Sequence, residues 1–344
     1  MLRRHGAAIW GRFEHQDGAF QFISDFEAIE PMSARPMAQL GERTALANAP
    51  CSFGAFEVTV GTMANVPEAL DLLDAVAGAG YEGIDLGPVG YLGLGRPLAS
   101  RLAARNLSLA GGYLGLPFSE DDAFNSALPS LTELIDVFDA VPSGTHPPRP
   151  TLADAGSPQR AAQPGGSALD RSIGLSDDGW SRFAENLNKA TDYCRARGYE
   201  PTFHHHVASH VEAPWEIERM LELTDVGLCL DTGHLLLGRG DPVQSVRDWG
   251  ERINHVHVKD ARQAVIDGII ADAAPVIDVW KRRAFCPLGE GDVDIDGVFE
   301  ALEAIGYSGW IVIEQDMLPE LDESPQVAED EQRSNREYLS LRGL

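Results

Sequence analysis

FHHHVASHVEAPWEIERMLELTDVGLCLDTGH, residues 203–234, is the stretch on which the reading of this chain turns. It is framed by two short apolar segments, Glu200–His206 and Val226–Asp231, each of strand length. Pro214–Leu223 lies between them and reads as a helix with a proline in its first turn. A strand, a helix and a second strand make one crossover unit. Both strands end in side chains that bind protons or metals: His204, His205 and His206 on the first, Asp231 and His234 on the second.

The same unit recurs in both directions. Upstream, strands are expected at Cys51–Val58, Gly83–Gly87, Leu107–Leu114 and Pro150–Asp154. Helices follow them, the first opened by Asn65 as N-cap with Glu68 three residues on, and closed by Gly80. Later helices lie near Pro97–Arg105, Glu120–Ala140 and Asp178–Arg197. The Gly/Pro/Ser-rich segment Ala155–Ser176 reads as a long loop over one rim. Downstream come a helix at Asp241–Trp249, a strand at Ile253–Val258, an extra helix at Gln263–Arg283 and a helix at Ile295–Ile305. A last strand, Gly309–Glu314, and a helix over Pro325–Arg342 complete the count. Eight strand–helix units predict an α/β fold, a (β/α)8 TIM barrel, as one catalytic domain over residues 50–344. Residues 1–49 show no sustained period and are expected to be a partly disordered N-terminal extension. The structural rival, a doubly wound open sheet, would ordinarily carry a Gly-rich phosphate turn after its first strand. GAFEVTVG (54–61) is a poor match to one.

Composition narrows the partners. The chain has 344 residues, 27 Lys plus Arg against 53 Asp plus Glu, and a formal charge of −26. Such a chain repels phosphate backbones and anionic membranes, so the expected partner is a small molecule rather than nucleic acid or a bilayer. No apolar run approaches the ~20 residues of a membrane span. Cys51, Cys194, Cys229 and Cys286 are widely spaced and form no CxxC, which fits a reducing cytoplasm better than a disulfide framework. A homo-oligomer is compatible with these features.

In a barrel of this kind the active site forms at the C-terminal ends of the strands. Seven of the ten histidines fall between Phe203 and Asp260. Asp85 closes the second strand, Asp154 the fourth, His204–His206 the fifth, Asp231 with His234 the sixth, His255 and His257 the seventh, and Glu314 the eighth. Because residues i and i+2 share a face, His204 and His206 point inward while His205 points away, and His255 pairs with His257. A lone strand-end histidine is more often structural than a ligand. Several strands delivering imidazole and carboxylate to one rim point instead to a divalent metal, Mn2+, Co2+ or Zn2+.

FHHHVASH (203–210), CLDTGHLLLGRGDP (229–242), INHVHVKDAR (253–262), PLGEGDVD (287–294) and GWIVIEQD (309–316) together resemble the xylose isomerase-like TIM barrels. That superfamily includes sugar isomerases, 3-epimerases, inosose dehydratases and endonuclease IV-type nucleases, and the likeness is nearest to the inosose dehydratases. It runs from about residue 49 to 319 and is densest after residue 200. It implies a four-ligand metal site of Asp231, His257 and Glu314, with His204 standing where many members have a glutamate. In the epimerases resembled, that glutamate and the last-strand one act as an acid/base pair on opposite faces of the substrate. The reaction implied is removal of a proton next to a carbonyl of a sugar or cyclitol ketone, leading to dehydration, epimerisation or isomerisation. Glu314 or a strand-five histidine is the expected base. His206, His234 or Lys259 is the expected acid, while Asp85, Arg262 and Arg239 would hold substrate oxygens. A DNA-repair nuclease would need further ligands and a basic groove, and a barrel that binds a sugar without turnover is the third reading.

Overall fold

The computed structural model describes residues 12–16, 19–23, 38–320 and 322–344. The chain divides into two compact units, Met1–Arg35 and Pro36–Leu344. In the first, Arg12–Gln16 and Ala19–Ile23 pair as an antiparallel hairpin. The expectation of a partly disordered extension falls for the most part outside the described residues.

The second unit is a closed barrel of eight parallel strands, in the order β8-β1-β2-β3-β4-β5-β6-β7 around the ring. The strands are β1 (Thr44–Asn48), β2 (Gly83–Asp85), β3 (Ser108–Leu116), β4 (Arg149–Asp154), β5 (Thr202–His204), β6 (Gly227–Asp231), β7 (Ile253–Val258) and β8 (Gly309–Ile313). The helices that pack outside are α1 (Ala69–Ala79), α2 (Gly95–Ala103), α3 (Asp121–Asp139), α4 (Asp177–Ala196), α5 (Pro214–Leu223), α6 (Pro242–Trp249), α7 (Ile295–Ala304) and α8 (Pro325–Ser340). The TIM barrel is therefore as expected, and the doubly wound sheet is excluded.

The strands alternate as a barrel requires. Leu46, Ile84, Leu109, Leu152, Phe203, Leu228 and Leu230 turn outward into one core shared with the helices. Inside, Ala45, Ala47, Ala49 and Ala110 surround Trp310 and Val312. Trp310 fills so much of this space that a Cβ on Gly83 would sit 2.6 Å from its indole. Packing at crystal-like density leaves room only for small neighbours there.

Three expectations are corrected, and two details are added. The first strand is Thr44–Asn48 rather than Cys51–Val58; Pro50–Phe53 is a single 3-10 turn, because Pro50 cannot donate to a ladder. Helix α1 begins at Ala69 with Glu68 as N-cap, so Asn65 lies outside it. The helix expected over Gln263–Arg283 is broken into Gln263–Ala271 and Ile277–Lys281, with Pro275 between them. A short helix, Thr232–Leu237, follows β6 before α6. The long loop after β4 contains one helical turn, Pro158–Ala161, and two 3-10 turns.

Candidate metal centre

The DTGH segment builds the centre of the rim, and each of its residues has a separate task. Asp231 ends β6 and caps the helix Thr232–Leu237: its Oδ1 accepts from the amide of His234 at 2.8 Å. That fixes the carboxylate and leaves Oδ2 buried beside His204 and Lys259 with no aligned hydrogen bond. Thr232 Oγ1 donates to the carbonyl of Lys259 (2.7 Å) and accepts from its amide (2.9 Å), so β6 and β7 are pinned together just above the strands. Gly233 lets the chains meet, since a Cβ there would lie 2.6 Å from Cβ of Lys259. His234 accepts at Nδ1 from the amide of Val207 (3.3 Å), which puts the ring proton on Nε2, 3.5 Å from Asp316 Oδ2.

Four buried side chains converge on one point. His204 Nε2 lies 3.3 Å from Asp231 Oδ2. His257 Nδ1 lies 3.8 Å from the same oxygen and 2.8 Å from Glu314 Oε2. The donor atoms of His204, Asp231, His257 and Glu314 all fall within 4.8 Å of one another. They come from four successive strand ends, β5 to β8, and the β6–β7 register sets Asp231 directly against His257. The group fits a divalent transition ion. It offers two imidazoles and two carboxylates, and Asp231 Oδ2 and His257 Nδ1 are buried with charged neighbours close by but no aligned hydrogen bond.

Lys259 stands beside this group, nearly fully buried. Its Nζ is 3.1 Å from Asp231 Oδ2, 2.8 Å from Glu314 Oε2 and 3.2 Å from Asp316 Oδ2. Burial works against its charge, but Asp231, Asp316 and Glu314 outweigh that and hold its pKa well above the ordinary lysine value. Burial likewise opposes ionisation of Glu314, yet His257 and Lys259 bring its pKa down to about 2. Asp316 is also held well down, with Lys259 and His234 overcoming burial. Asp85, at the end of β2, is pushed up to about 6, chiefly by burial. Its Oδ2 lies 3.8 Å from His257 Nε2, on the side of the ring away from Glu314.

The triple histidine divides by direction. His204 and His206 line the rim pocket, whereas His205 points out of the barrel and accepts at Nε2 from the amide of Asp231 (3.1 Å). His206 has its Nδ1 2.7 Å from the carbonyl of Val207; that nitrogen must carry the proton, and Nε2 keeps a free lone pair. Burial pushes the His206 pKa down to about 4, with His204 and Lys259 adding to it. His234 lies behind His206, their ring centroids 3.9 Å apart, and does not line the pocket. His210 and Asp154 bond to each other (2.8 Å) and tie two loops together. His255 sits deeper in the barrel, 5.2 Å from the ring of His257.

The pocket over this group encloses about 290 Å³ and is lined by Asp85, His204, His206, His257, Lys259, Glu314 and Asp316 below. Phe56, Glu57, Tyr113, Ile277, Trp280 and Leu318 stand around it. Two expected residues are not brought here. Arg262 is drawn to Glu290 (3.1 Å) and the carbonyl of Arg283, and Arg239 to Asp267 (2.6 Å). In a chain this acidic, a rim arginine meets a carboxylate before it meets the pocket. Asp260 accepts from the amides of Gly289, Gly291 and Val293, so it and Glu290 order the LGEGDVD loop. Asp316 is the residue that sequence reasoning missed. Its signal was present, for it stands two residues after Glu314, and residues two apart share a strand face.

A family model described as xylose isomerase-like TIM barrel matches residues 73–338. Inosose dehydratase of Lacticaseibacillus casei is 35% identical over 156 residues, 44% of this chain and 52% of that protein. Inosose dehydratase of Bacillus thuringiensis is 32% identical over 150 residues, 43% and 50% respectively. The chain thus spans about half the length of the curated relatives it matches. Among solved structures, the IolI protein with a bound zinc atom superposes with a TM-score of 0.62 at 15% identity, over 87% of this chain and 98% of that one. D-allulose 3-epimerase from Methylomonas sp. in complex with D-allulose gives 0.62 at 17%, over 87% and 97%. These two likenesses show the fold. The family model covers most of the barrel, and the motif-bearing strand ends lie within its bounds. On that match and the eight-stranded closed barrel, the chain belongs to the xylose isomerase-like TIM barrel family.

Proposed function

We propose that this protein is a divalent-metal-dependent enzyme that removes a proton next to the carbonyl of a sugar or cyclitol ketone, and specifically that it eliminates water from 2-keto-myo-inositol or a close analogue. The observation that carries the proposal is the convergence of His204, Asp231, His257 and Glu314 within 4.8 Å. The partial likeness to inosose dehydratases supports the specific form. Bound to those four donors, Mn2+, Co2+ or Zn2+ would act as a Lewis acid that acidifies the proton beside the carbonyl.

The chain's own residues divide the remaining work. His206, with its lone pair on Nε2 and a depressed pKa, takes the proton. Lys259 donates to the departing hydroxyl, which leaves as water, and the electron pair of the broken C–H bond becomes the new C=C bond. Asp316 and Glu314 keep Lys259 charged until then. His234 presents its Nε2 proton to Asp316 and backs the ring of His206. Asp85 accepts a substrate hydroxyl at the pocket floor. The missing strand-five glutamate argues against a symmetric two-carboxylate epimerisation, since both pocket carboxylates on this side, Glu314 and Asp316, follow the same strand. A duplex-binding nuclease is disfavoured by the charge of −26 and by a pocket whose cationic side chain is buried among carboxylates. The four free thiols fit a reducing compartment such as the cytoplasm.

The test is to strip the protein with a chelator, reload it with Mn2+, Co2+ or Zn2+, and follow keto-inositols and ketoses by NMR in D2O. We expect metal-restored loss of water from a keto-inositol. Deuterium entering a ketose with epimer formation, and no water lost from any cyclitol, would replace the dehydratase reading with an epimerase one. Turnover unaffected by chelation would end both.

A further inference from the structure

His255 stands where a barrel of this kind ordinarily packs an aliphatic side chain. It lies on β7 two residues before His257, so it points into the barrel, and the register sets Cys229 beside it. It is fully buried and does not line the rim pocket. Among the described residues neither of its ring nitrogens has a hydrogen-bond partner. A buried polar ring left unsatisfied is costly, so an imidazole held there points to something that it binds.

Two further donors face it. Asp85 repeats the arrangement of Asp231: its Oδ1 accepts from the amide of Leu86 (3.0 Å), while Oδ2 lies 3.8 Å from His257 Nε2. That separation is too long for a hydrogen bond and close to the roughly 3.4 Å between two ligands of a tetrahedral ion. Donor atoms of Asp85, His255 and His257 all lie within 4.8 Å of one another. Asp85 comes from β2, and β8 and β1 stand between it and β7 on the ring. The inward side chains of β1 are alanines, which leave its carboxylate room to reach across.

We propose that Asp85, His255 and His257 form a second, inner metal site for Zn2+ or Co2+, and that the ring of His257 bridges it to the rim group. The bridge rests on the rim ion proposed above; the inner site does not. The two nitrogens of His257 diverge, Nδ1 toward Glu314 and Asp231 and Nε2 toward Asp85. When both bind ions, the ring gives its one remaining proton to solvent and bridges as imidazolate. Two imidazole nitrogens and one carboxylate oxygen suit Zn2+ or Co2+ better than Mn2+. Charge favours the second ion as well. Four buried carboxylates, Asp85, Asp231, Glu314 and Asp316, accompany one ammonium, that of Lys259. A rim dication alone leaves this group one negative charge in excess. A second dication, with His257 as imidazolate, brings it to neutrality, where burial costs least. The carboxylate of Asp85 has lone pairs enough to hold the ion and still accept a substrate hydroxyl.

Metal counting on the full chain tests this. The protein is stripped with a chelator, loaded with Co2+, passed over chelating resin at high salt, and its metal measured by mass spectrometry. The parent should retain two Co2+ per chain. His255→Leu, which installs the aliphatic residue usual inside such a barrel, should retain one; if that variant does not fold, His255→Asn should give the same count. His204→Leu combined with Glu314→Gln should also retain one. In the parent, exchange through the His257 ring should weaken the Co2+ electron paramagnetic signal per ion at least twofold, and His255→Leu should restore it. Two ions in both the parent and His255→Leu would overturn the inner site. One ion in both, lost from the double variant, would overturn it too and leave the rim ion standing. One ion in the parent and none in His255→Leu would keep the inner site and remove the rim ion, and with it the proposed function. No ion in any form would end both.

Discussion

At the scale of single residues, His204 decides what kind of chemistry the rim can run. It is nearly fully buried and 3.3 Å from Asp231, where a glutamate would give the site a third carboxylate ligand. His204→Glu should keep the metal but shift the products: water loss should fall at least tenfold, and solvent deuterium should appear in unreacted ketone. An unchanged dehydration rate in the metal-loaded variant would sink the idea that the imidazole sets the reaction. Lys259 offers a separate check. Its ammonium competes with a cation for Asp231 and Glu314, so Lys259→Met should bind the metal at least as tightly as the parent while elimination drops by roughly 100-fold or more, the usual reach of a general acid. A variant that loses metal instead would make Lys259 structural. These residues were legible because each falls at a strand end with the correct parity. Asp316 has that parity too, yet its role depends on an ammonium just past β7 and an imidazole from the helix after β6, and no local pattern announces those. Arg262 failed for the opposite reason: an arginine in the motif looked like a substrate ligand, and only the fold shows Glu290 beside it.

At the scale of elements, the loop after β4 turns out to be fastened rather than loose. Arg160, fully buried, bonds to Glu212 (3.0 Å) and Glu216 (3.1 Å). The same two carboxylates accept from Ser167 and from the amides of Gly165, Ala208, Glu212 and Ala213. One guanidinium therefore joins the loop after β4 to the loop that carries His206. The amide of Val276 bonds to the carbonyl of Ala161 (2.8 Å), which attaches the segment bearing Trp280 as well. Arg160→Met would leave two buried carboxylates without their cation, at a cost of about 3–5 kcal/mol. Hydrogen exchange should report faster opening over 158–168, 206–213 and 274–281, with the barrel strands still protected; uniform loss of protection would mean the arginine supports the whole fold. The composition of Ala155–Ser176 suggested a loop correctly, but it hid the anchor, because the partners of Arg160 lie about fifty residues away. Strand β1 was misplaced for a related reason. TALAN (44–48) has weak strand propensity, and its alanines are small to admit Trp310, which belongs to the strand paired with it on the far end of the chain. The strands whose inner residues are histidine or aspartate, β6 and β7, were read nearly to the residue. Their outward faces carry Leu228, Leu230, Val256 and Val258, an apolar alternation legible without a distant partner.

At the scale of the whole molecule, a barrel that buries so many imidazoles must respond to acid. His205 is fully buried, and burial, aided by His204, lowers its pKa to about 3. His204, His234 and His255 are lowered by burial as well. In the unfolded chain each would titrate near 6.5. Below that pH the unfolded chain binds protons that the folded chain refuses, so stability is intact above about 6.5 and declines as the pH falls toward the folded-state values. His205 alone accounts for ~1.4 kcal/mol per pH unit in that interval. Asp85, pushed up to about 6 by burial, and Glu212, also raised by burial, take up protons in the folded barrel on acidification and offset part of this loss; His257 and Glu314 do not. His257, raised by its anionic neighbours against burial, gives its full contribution below 6.5 and changes only at higher pH. Glu314, with a pKa near 2, holds its contribution until the pH falls below the range of ordinary carboxylates. Between pH 6.5 and 5 the four lowered histidines act against the gain from Asp85, and being four to one they outweigh it. With the metal removed by a chelator, the urea midpoint should fall on going from pH 7.0 to 5.5. His205→Gln, which retains an acceptor for the amide of Asp231, should flatten that slope by about the share of one histidine. A midpoint that holds or rises on acidification would show that these rings take up protons within the folded barrel. The electrostatic picture of a neutral imidazole layer under the metal group would then be wrong.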